Sequence, residues 1–417
     1  MPRNHTSFGS RRQFLKTTTT AGAIGLTGLA GCAGNGNGNG NGDDVVRLGV
    51  LEPFTGDFAE LAEERNQGEE LGIQHVNESD EYDFQIEYEE YDTQLNAEDG
   101  VQVATEAIES FGAEFLTGAI SSSVALAINE VAQQNQVLYT PGAADTSITG
   151  ANCNEWVFRF ETSTAQVAEP MTDFIAGELG GRIIYLSADY AYGQSVNDEI
   201  DRRMQQKADD YEVVDELWPE EGAGDHDGFI TSAQGMADEA DAVVVGMTGG
   251  QLGRFLTQAA DRGLNDDIPI VTTTGSFRVV RQGAGAAAED VYSGVRYSSQ
   301  IDAGDNQDFV DAYVDEYDTP PDNFSRVGYE SIRMVANGVR EAESTQAADV
   351  RDVLPGLTQS TIFGDVEFRE CDQQSTNPVW FGQMVPGDEF PDVEIMEEYS
   401  LGAGEADPDC ADTGCEL

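Results

Sequence analysis

The apolar positions of this chain fall into short runs separated by longer stretches with helical spacing. Val45–Leu51, Phe84–Tyr91, Glu114–Thr117, Val137–Tyr139 and Val157–Phe160 are short and rich in apolar, β-branched and aromatic residues, which predicts strands. Between them, Ala97–Phe111 sets Val101, Ala104, Ile108 and Phe111 on one helical face, and Ser122–Gln134 does the same with Leu126, Ile128 and Val131. A second series follows. Arg182–Ser187, Tyr211–Leu217, Ala242–Gly246 and Ile268–Thr272 read as strands, with helices over Gln194–Ala208, Thr231–Glu239 and Gly250–Arg262. Strands alternating with helices imply parallel sheets covered on both faces. The expected class is therefore α/β, with two Rossmann-like lobes. In open sheets of this kind ligands bind beyond the carboxyl ends of the strands, so two facing lobes enclose a cleft there.

Composition adds an environment. The chain has 417 residues, 39% apolar, enough for more than one core. It carries 78 acidic against 21 basic residues, a net charge of -57, and its only lysines are Lys16 and Lys207. The acid is spread among ordinary apolar segments and does not form a tail. Such a surface repels itself at ordinary ionic strength, whereas in molar salt the Debye length shrinks to about 3 Å and the repulsion is screened. The pattern reads as a halophilic surface. It lacks the basic footprint that nucleic acid requires.

The first residues read as an address. Met1–Gly31 holds Arg3, Arg11, Arg12 and Lys16 and no acid, and Ser10-Arg11-Arg12-Gln13-Phe14-Leu15-Lys16 is a twin-arginine export pattern. Thr17–Gly31 is too short and too rich in small residues for a spanning helix. Leu29-Ala30-Gly31-Cys32 reads as a lipobox, so Cys32 is the expected lipidated N-terminus, anchored on the outer face of the membrane. Residues 32–44 with their Asn-Gly repeat then form a flexible tether.

The order of loops resembles the leucine/isoleucine/valine-binding proteins, the type I periplasmic solute-binding proteins of ABC transporters, from Val45 to about Asp388. The resemblance is carried by Val46-Arg47-Leu48-Gly49-Val50 with Phe54-Thr55-Gly56, by Tyr91-Asp92-Thr93, and by Gly118-Ala119-Ile120-Ser121-Ser122-Ser123. Thr140-Pro141-Gly142-Ala143-Ala144, Val157-Phe158-Arg159, Asp189 with Tyr192-Gly193, Gly364-Asp365-Val366-Glu367-Phe368 and Pro378-Val379-Trp380 continue it. It implies a monomeric receptor that delivers a small solute to a membrane permease, without cofactor or metal. It also implies lobe 1 as 45–161 plus about 299–360, lobe 2 as 162–298 plus about 361–417, and a hinge of three crossings.

The same resemblance assigns the cleft. Ser121 and Ser122, at a strand-to-helix junction, hold a ligand carboxylate or carbonyl with the backbone of Gly142. Serine is also a common N-cap, so capping and ligand contact both fit there. Tyr192 closes from lobe 2, and Leu61 shapes the pocket or simply fills core. The sequence departs from amino-acid binders at Ala144, Thr248 and Thr274, where a threonine, a tyrosine and a glutamate are expected. Asp145 is a candidate replacement for the ammonium partner. Otherwise the solute is an amide, a urea-like compound or a carboxylic acid.

The remaining chemistry is thin. Beyond Cys32, the cysteines Cys153, Cys371, Cys410 and Cys415 permit two disulfides, Cys410–Cys415 as a short loop and Cys153–Cys371, or stay free and buried. Asn77 and Asn323 head glycosylation patterns. After the export segment the histidines are His75 and His226, neither beside a cysteine or a second histidine. No G-x-S-x-G elbow occurs, so an enzyme is disfavoured, and a sensor of the same fold is the alternative to transport.

Overall fold

A computed structural model describes residues 44–417. The twin-arginine segment, Cys32 and the Asn-Gly tether lie outside those residues. β1 (Asp44–Glu52), β2 (Phe84–Asp92), β3 (Phe115–Gly118) and β4 (Leu138–Pro141) form a parallel sheet in the order β2-β1-β3-β4. β3 is buried throughout as a central parallel strand, β4 is buried although it ends the sheet because Val157 bridges it at Tyr139, and β2 alternates at its start because it is an edge.

β5 (Arg182–Ser187), β6 (Glu212–Leu217), β7 (Ala242–Gly246), β8 (Ile270–Thr272) and β9 (Tyr292–Val295) form the parallel part of a second sheet. β10 (Thr358–Thr361) and β11 (Gly364–Glu367) pair with each other as a hairpin. β12 (Trp380–Val385) and β13 (Asp392–Ile395) join the second sheet antiparallel, giving β13-β12-β9-β8-β7-β5-β6. These two sheets, each with a parallel core, give the expected α/β class with two Rossmann-like halves.

The helices that carry the site are α1 (Ala59–Glu78), α2 (Ala97–Glu106), α3 (Ser122–Asn135), α4 (Thr164–Phe174), α5 (Ala191–Lys207), α6 (Asp227–Gly235) and α7 (Gly249–Arg262). α6 begins before the apolar run that predicted Thr231–Glu239, because the Asp225 carboxylate accepts the Asp227 N–H at 2.9 Å and turns the chain there. Val157–Phe160 is not a strand of either sheet. Val157 and Arg159 make single bridges to Tyr139 and Gln374. A few backbone bonds hold this stretch, with the Phe158 N–H on the Tyr139 carbonyl at 3.0 Å and the Arg159 N–H on the Gln373 carbonyl at 3.1 Å, and the Arg159 guanidinium adds bonds to the Ala143 carbonyl at 3.2 Å and to Gln374 at 2.5 Å.

Glu161 ties together the segments that pass between the sheets. Its carboxylate accepts from Arg296 at 2.7 Å and from Asn323 at 3.0 Å, and its carbonyl accepts from Gln374 at 2.9 Å. Asn323 is fully buried in this role, so its glycosylation pattern is inaccessible in the folded chain. Beyond β13 the tail returns to the turn at residues 150–153. Cys153 bonds Cys415 and Cys371 bonds Cys410, with Cα separations of 5.6 and 5.9 Å. This corrects the pairing expected from sequence: proximity is set by where the tail lands, not by the short Cys410–Cys415 spacing. The last residues therefore do not stay with the second sheet, and β10–β11 packs its Val366 and Phe368 into the core of the first. Among the described residues no helix is long and apolar enough to cross a membrane.

Candidate functional site

Strand order reverses between β1 and β3 in the first sheet and between β5 and β7 in the second, and a crevice opens at such a point. The loops leaving those strands meet. Arg254 of α7 pairs with Asp57 ahead of α1 at 2.7 Å, and the Ala191 N–H of α5 reaches the Ser123 hydroxyl of α3 at 3.5 Å. One apolar cluster spans the junction, with Phe58, Leu61, Ile120 and Ala144 against Tyr190, Tyr192, Met247 and Phe277.

The first-sheet loop is built on a buried ion cluster. Arg65 of α1 pairs with Glu52 at the end of β1 and with Glu69 at 2.5 Å, all fully buried. It also donates to the Thr117 hydroxyl at 2.9 Å and the Thr140 carbonyl at 3.3 Å, so one guanidinium holds the ends of β1, β3 and β4. Burial raises the pKa of both glutamates and Arg65 opposes the rise, leaving two carboxylates on one cation. The strand ends are glycines because there is no space. A Cβ on Gly142 would lie 2.6 Å from Arg65 Nε, and Gly118, at φ +118°, would collide with the Leu51 carbonyl. Ala119 follows at φ 58°, a strained value for alanine, and turns the chain into Ser121.

Ser121 is the N-cap of α3, yet its side chain makes no capping bond. Its Oγ is buried, the residue is 2% exposed, and the oxygen has no partner. Capping alone does not account for it. Thr248, the N-cap of α7, repeats this: 8% exposed, no capping bond, Oγ1 unpartnered. Tyr190 occupies the same place before α5, also without a cap. By contrast, α2 is capped by Asn96 and α4 by a Ser163–Gln166 capping box. The N-termini of α3 and α7 thus face the junction without side-chain caps, an arrangement suited to acceptor atoms of a solute, while the first N–H of α5 is given to the Ser123 hydroxyl.

The other expected residues divide. Ser122 Oγ accepts the Asp145 N–H at 3.2 Å and retains its own proton to donate. Leu61 and Ala144 lie in the apolar cluster that spans the junction. Tyr192 is 4% exposed, its hydroxyl 2.5 Å from Thr273 Oγ1 and 3.4 Å from Arg296. Gly142 has no free donor, since its N–H is given to the Gly118 carbonyl at 2.9 Å. Thr274 turns its hydroxyl onto the Met247 carbonyl at 2.8 Å, joining the ends of β7 and β8. Asp145 accepts the Ser147 N–H at 2.6 Å, so that oxygen caps the turn at Thr146–Ile148.

Glu221 went unread in the sequence. It follows β6 in Pro219-Glu220-Glu221-Gly222, lies near the Ser121 hydroxyl, and has a buried Oε1 without a hydrogen-bond partner. Burial pushes its pKa up to about 7, the Ser121 hydroxyl opposes that, and Asp57 adds to it. Nothing distinguished it among 78 acids.

Two parallel sheets meeting at their switch points, with buried and unpartnered hydroxyls between them, define a solute-binding fold. The sequence agrees: residues 45–389 match the periplasmic binding protein family model, and the chain belongs to that family. It is 23% identical over 341 residues to Leu/Ile/Val-binding protein homolog 3 of Brucella melitensis biotype 1, covering 79% of this chain and 89% of that one. The amino acid ABC transporter substrate-binding protein of Pseudomonas fluorescens Pf-5 superposes with TM-score 0.78 at 22% identity, covering 90% of this chain and 99% of that one. A Rhodopseudomonas palustris solute-binding protein in complex with benzoate gives 0.78 at 21%, covering 89% and 100%. The Streptococcus pneumoniae branched-chain amino acid binding protein in complex with isoleucine gives 0.72 at 20%, covering 84% and 100%. The three solved structures are substrate- or solute-binding proteins of transporters.

Proposed function

We propose that this protein is the exported, Cys32-anchored receptor of an ABC importer, capturing a small polar solute between two lobes and delivering it to a membrane permease. The observation that carries this reading is the pair of buried, unpartnered hydroxyls, Ser121 Oγ and Thr248 Oγ1, at uncapped helix ends on opposite sides of the junction. Lobe 1, residues 45–161 with about 299–360, receives the solute at Ser121 and Ser122. Lobe 2, residues 162–298 with most of the remainder, closes over it with Tyr190, Tyr192 and Thr248. Arg254–Asp57 at 2.7 Å and Arg278–Glu64 at 2.5 Å latch the closed form. The net charge of -57 suits a body that works in concentrated salt.

The test is a thermal-shift screen of residues 43–417 at about 3 M KCl, where surface repulsion is screened. The panel holds branched-chain and polar amino acids, short amides, urea and aromatic carboxylates. A solute that binds only the folded state must raise Tm. A cooperatively melting protein that no solute shifts would sink the capture reading for these classes.

A further inference from the structure

The helix Asn323–Ala342 packs its apolar side into the core of the first sheet, and another stripe of it carries Arg333, Asn337 and Arg340 at i, i+4 and i+7. That stripe borders a cavity of about 280 Å³, bounded also by Tyr82 ahead of β2 and by Gln359 of β10. None of the residues around it belongs to the apolar cluster at the junction of the sheets. The polar groups of this cavity are linked in a relay. The Tyr82 hydroxyl donates to Asn337 Oδ1 at 3.1 Å, and Asn337 Nδ2 donates to Gln359 Oε1 at 3.2 Å. Both amide oxygens are thereby engaged, and Gln359 Nε2 is left without a partner on a residue only 5% exposed. A buried donor left unpaired is costly, and a polar cavity beside it is where its partner belongs.

The two arginines differ. Arg333 is spent on the wall, donating to Glu330 at 3.0 Å and to the Ser360 carbonyl at 3.1 Å. Arg340 lies over the Tyr82 ring, 5.6 Å from its centroid, and reaches Glu81 only at 3.7 Å, with both side chains more than half exposed. An exposed pair of that kind contributes little, so Arg340 is free to take another anion. Glu81 and Glu341 are the acids that line the cavity, and neither carboxylate accepts from Gln359 Nε2. A guanidinium and an amide nitrogen offer donors only, which suits an oxyanion and not a cation. A phosphate monoester presents three acceptor oxygens, enough for the Arg340 fork and Gln359 together. We infer that this cavity is a second binding site, separate from the cleft and independent of solute capture, that takes the phosphate of a monoester. A free phosphate monoester and a lipid headgroup share this chemistry, and the test separates them.

Phosphorus NMR titration of glycerol phosphate with the full chain, at fixed high KCl, tests it. The ester signal should broaden saturably with the wild type. Arg340→Gln and Gln359→Leu should each weaken binding about tenfold or more, the loss expected for one hydrogen bond to a charged group. Arg262→Gln, which takes an arginine from α7 on the second sheet, should leave it unchanged. Melting curves show which variants are folded, and because Arg340 is exposed, Arg340→Gln decides the matter should Gln359→Leu fail to fold. No saturable broadening with the wild type, or an equal loss in Arg340→Gln and Arg262→Gln, overturns the site. Flotation with phosphatidic acid vesicles, against galactolipid vesicles that carry no phosphate, assigns the source. Stronger retention on the first, lost in Arg340→Gln, upholds the site as one for a headgroup. Ester binding without that difference upholds it as one for a free monoester.

Discussion

Arg65→Met removes the only cation from a fully buried group of two carboxylates. Methionine keeps most of the volume, so the cost is electrostatic: Glu52 and Glu69 lose their counter-ion, and Thr117 Oγ1 and the Thr140 carbonyl lose a donor. Breaking a buried pair from one side costs about 3–5 kcal/mol. At about 2 cal/mol/K of unfolding entropy per residue, a body of this size has roughly 0.8 kcal/mol/K, so Tm should fall by about 4–6 °C. The assay is circular-dichroism melting at fixed high KCl. Burial already favours protonation of both glutamates, so the defect should shrink at about pH 5 and be partly reversed by adding Glu52→Gln. A Tm within about 1 °C of wild type at pH 7.5, where about 1 kcal/mol is the resolution of the argument, would refute the view that this cation holds the strand ends together.

Ser121→Ala should leave Tm within about 1 °C, since the hydroxyl makes no internal bond, while weakening any bound solute in titration. Glu221 has a folded pKa near 7 against an ordinary 4.5, so the stability it contributes is full below about 4.5 and is lost as pH rises through 7. Allowing for its partial exposure this amounts to about 1–2 kcal/mol, and Glu221→Gln should flatten that part of the stability–pH curve in denaturant titrations. Cys415→Ser opens a loop of 262 residues and should cost about 3–5 kcal/mol, read as a lower denaturation midpoint under oxidising conditions. Asn323 should carry no glycan in intact-mass analysis of the folded protein, because it is buried against Glu161.

Much of the architecture was legible because central parallel strands are continuous apolar runs. Arg182–Ser187 and Ala242–Gly246 match β5 and β7 to the residue. Val157–Phe160 misled for the same reason: it is buried and apolar, but its backbone makes only single bridges, to Tyr139 and to the segment at Gln373–Ser375, a tertiary solution that periodicity does not encode. At the site, Ser121 and Thr248 were singled out through the family resemblance, and both stand at helix N-caps with buried hydroxyls. Glu221 and Arg65 were not. An acid matters there only through burial and through the absence of a partner, both properties of the folded surroundings. Gly142 and Thr274 were assigned to the ligand, yet each spends its one donor on a neighbouring carbonyl.

The uncapped starts of α3 and α7 have a consequence for folding itself. A side-chain cap is worth about 0.5–2 kcal/mol, and here the chain leaves these two ends without one. A solute seated among them would act as a shared N-cap, finishing secondary structure that the polypeptide leaves incomplete. Supplying two such caps corresponds to about 1–4 kcal/mol, a span that overlaps the roughly 2.7–4.1 kcal/mol by which a ligand at about 100 to 1,000 times its Kd stabilises a fold. The last step of folding and the capture of a solute would then be one event.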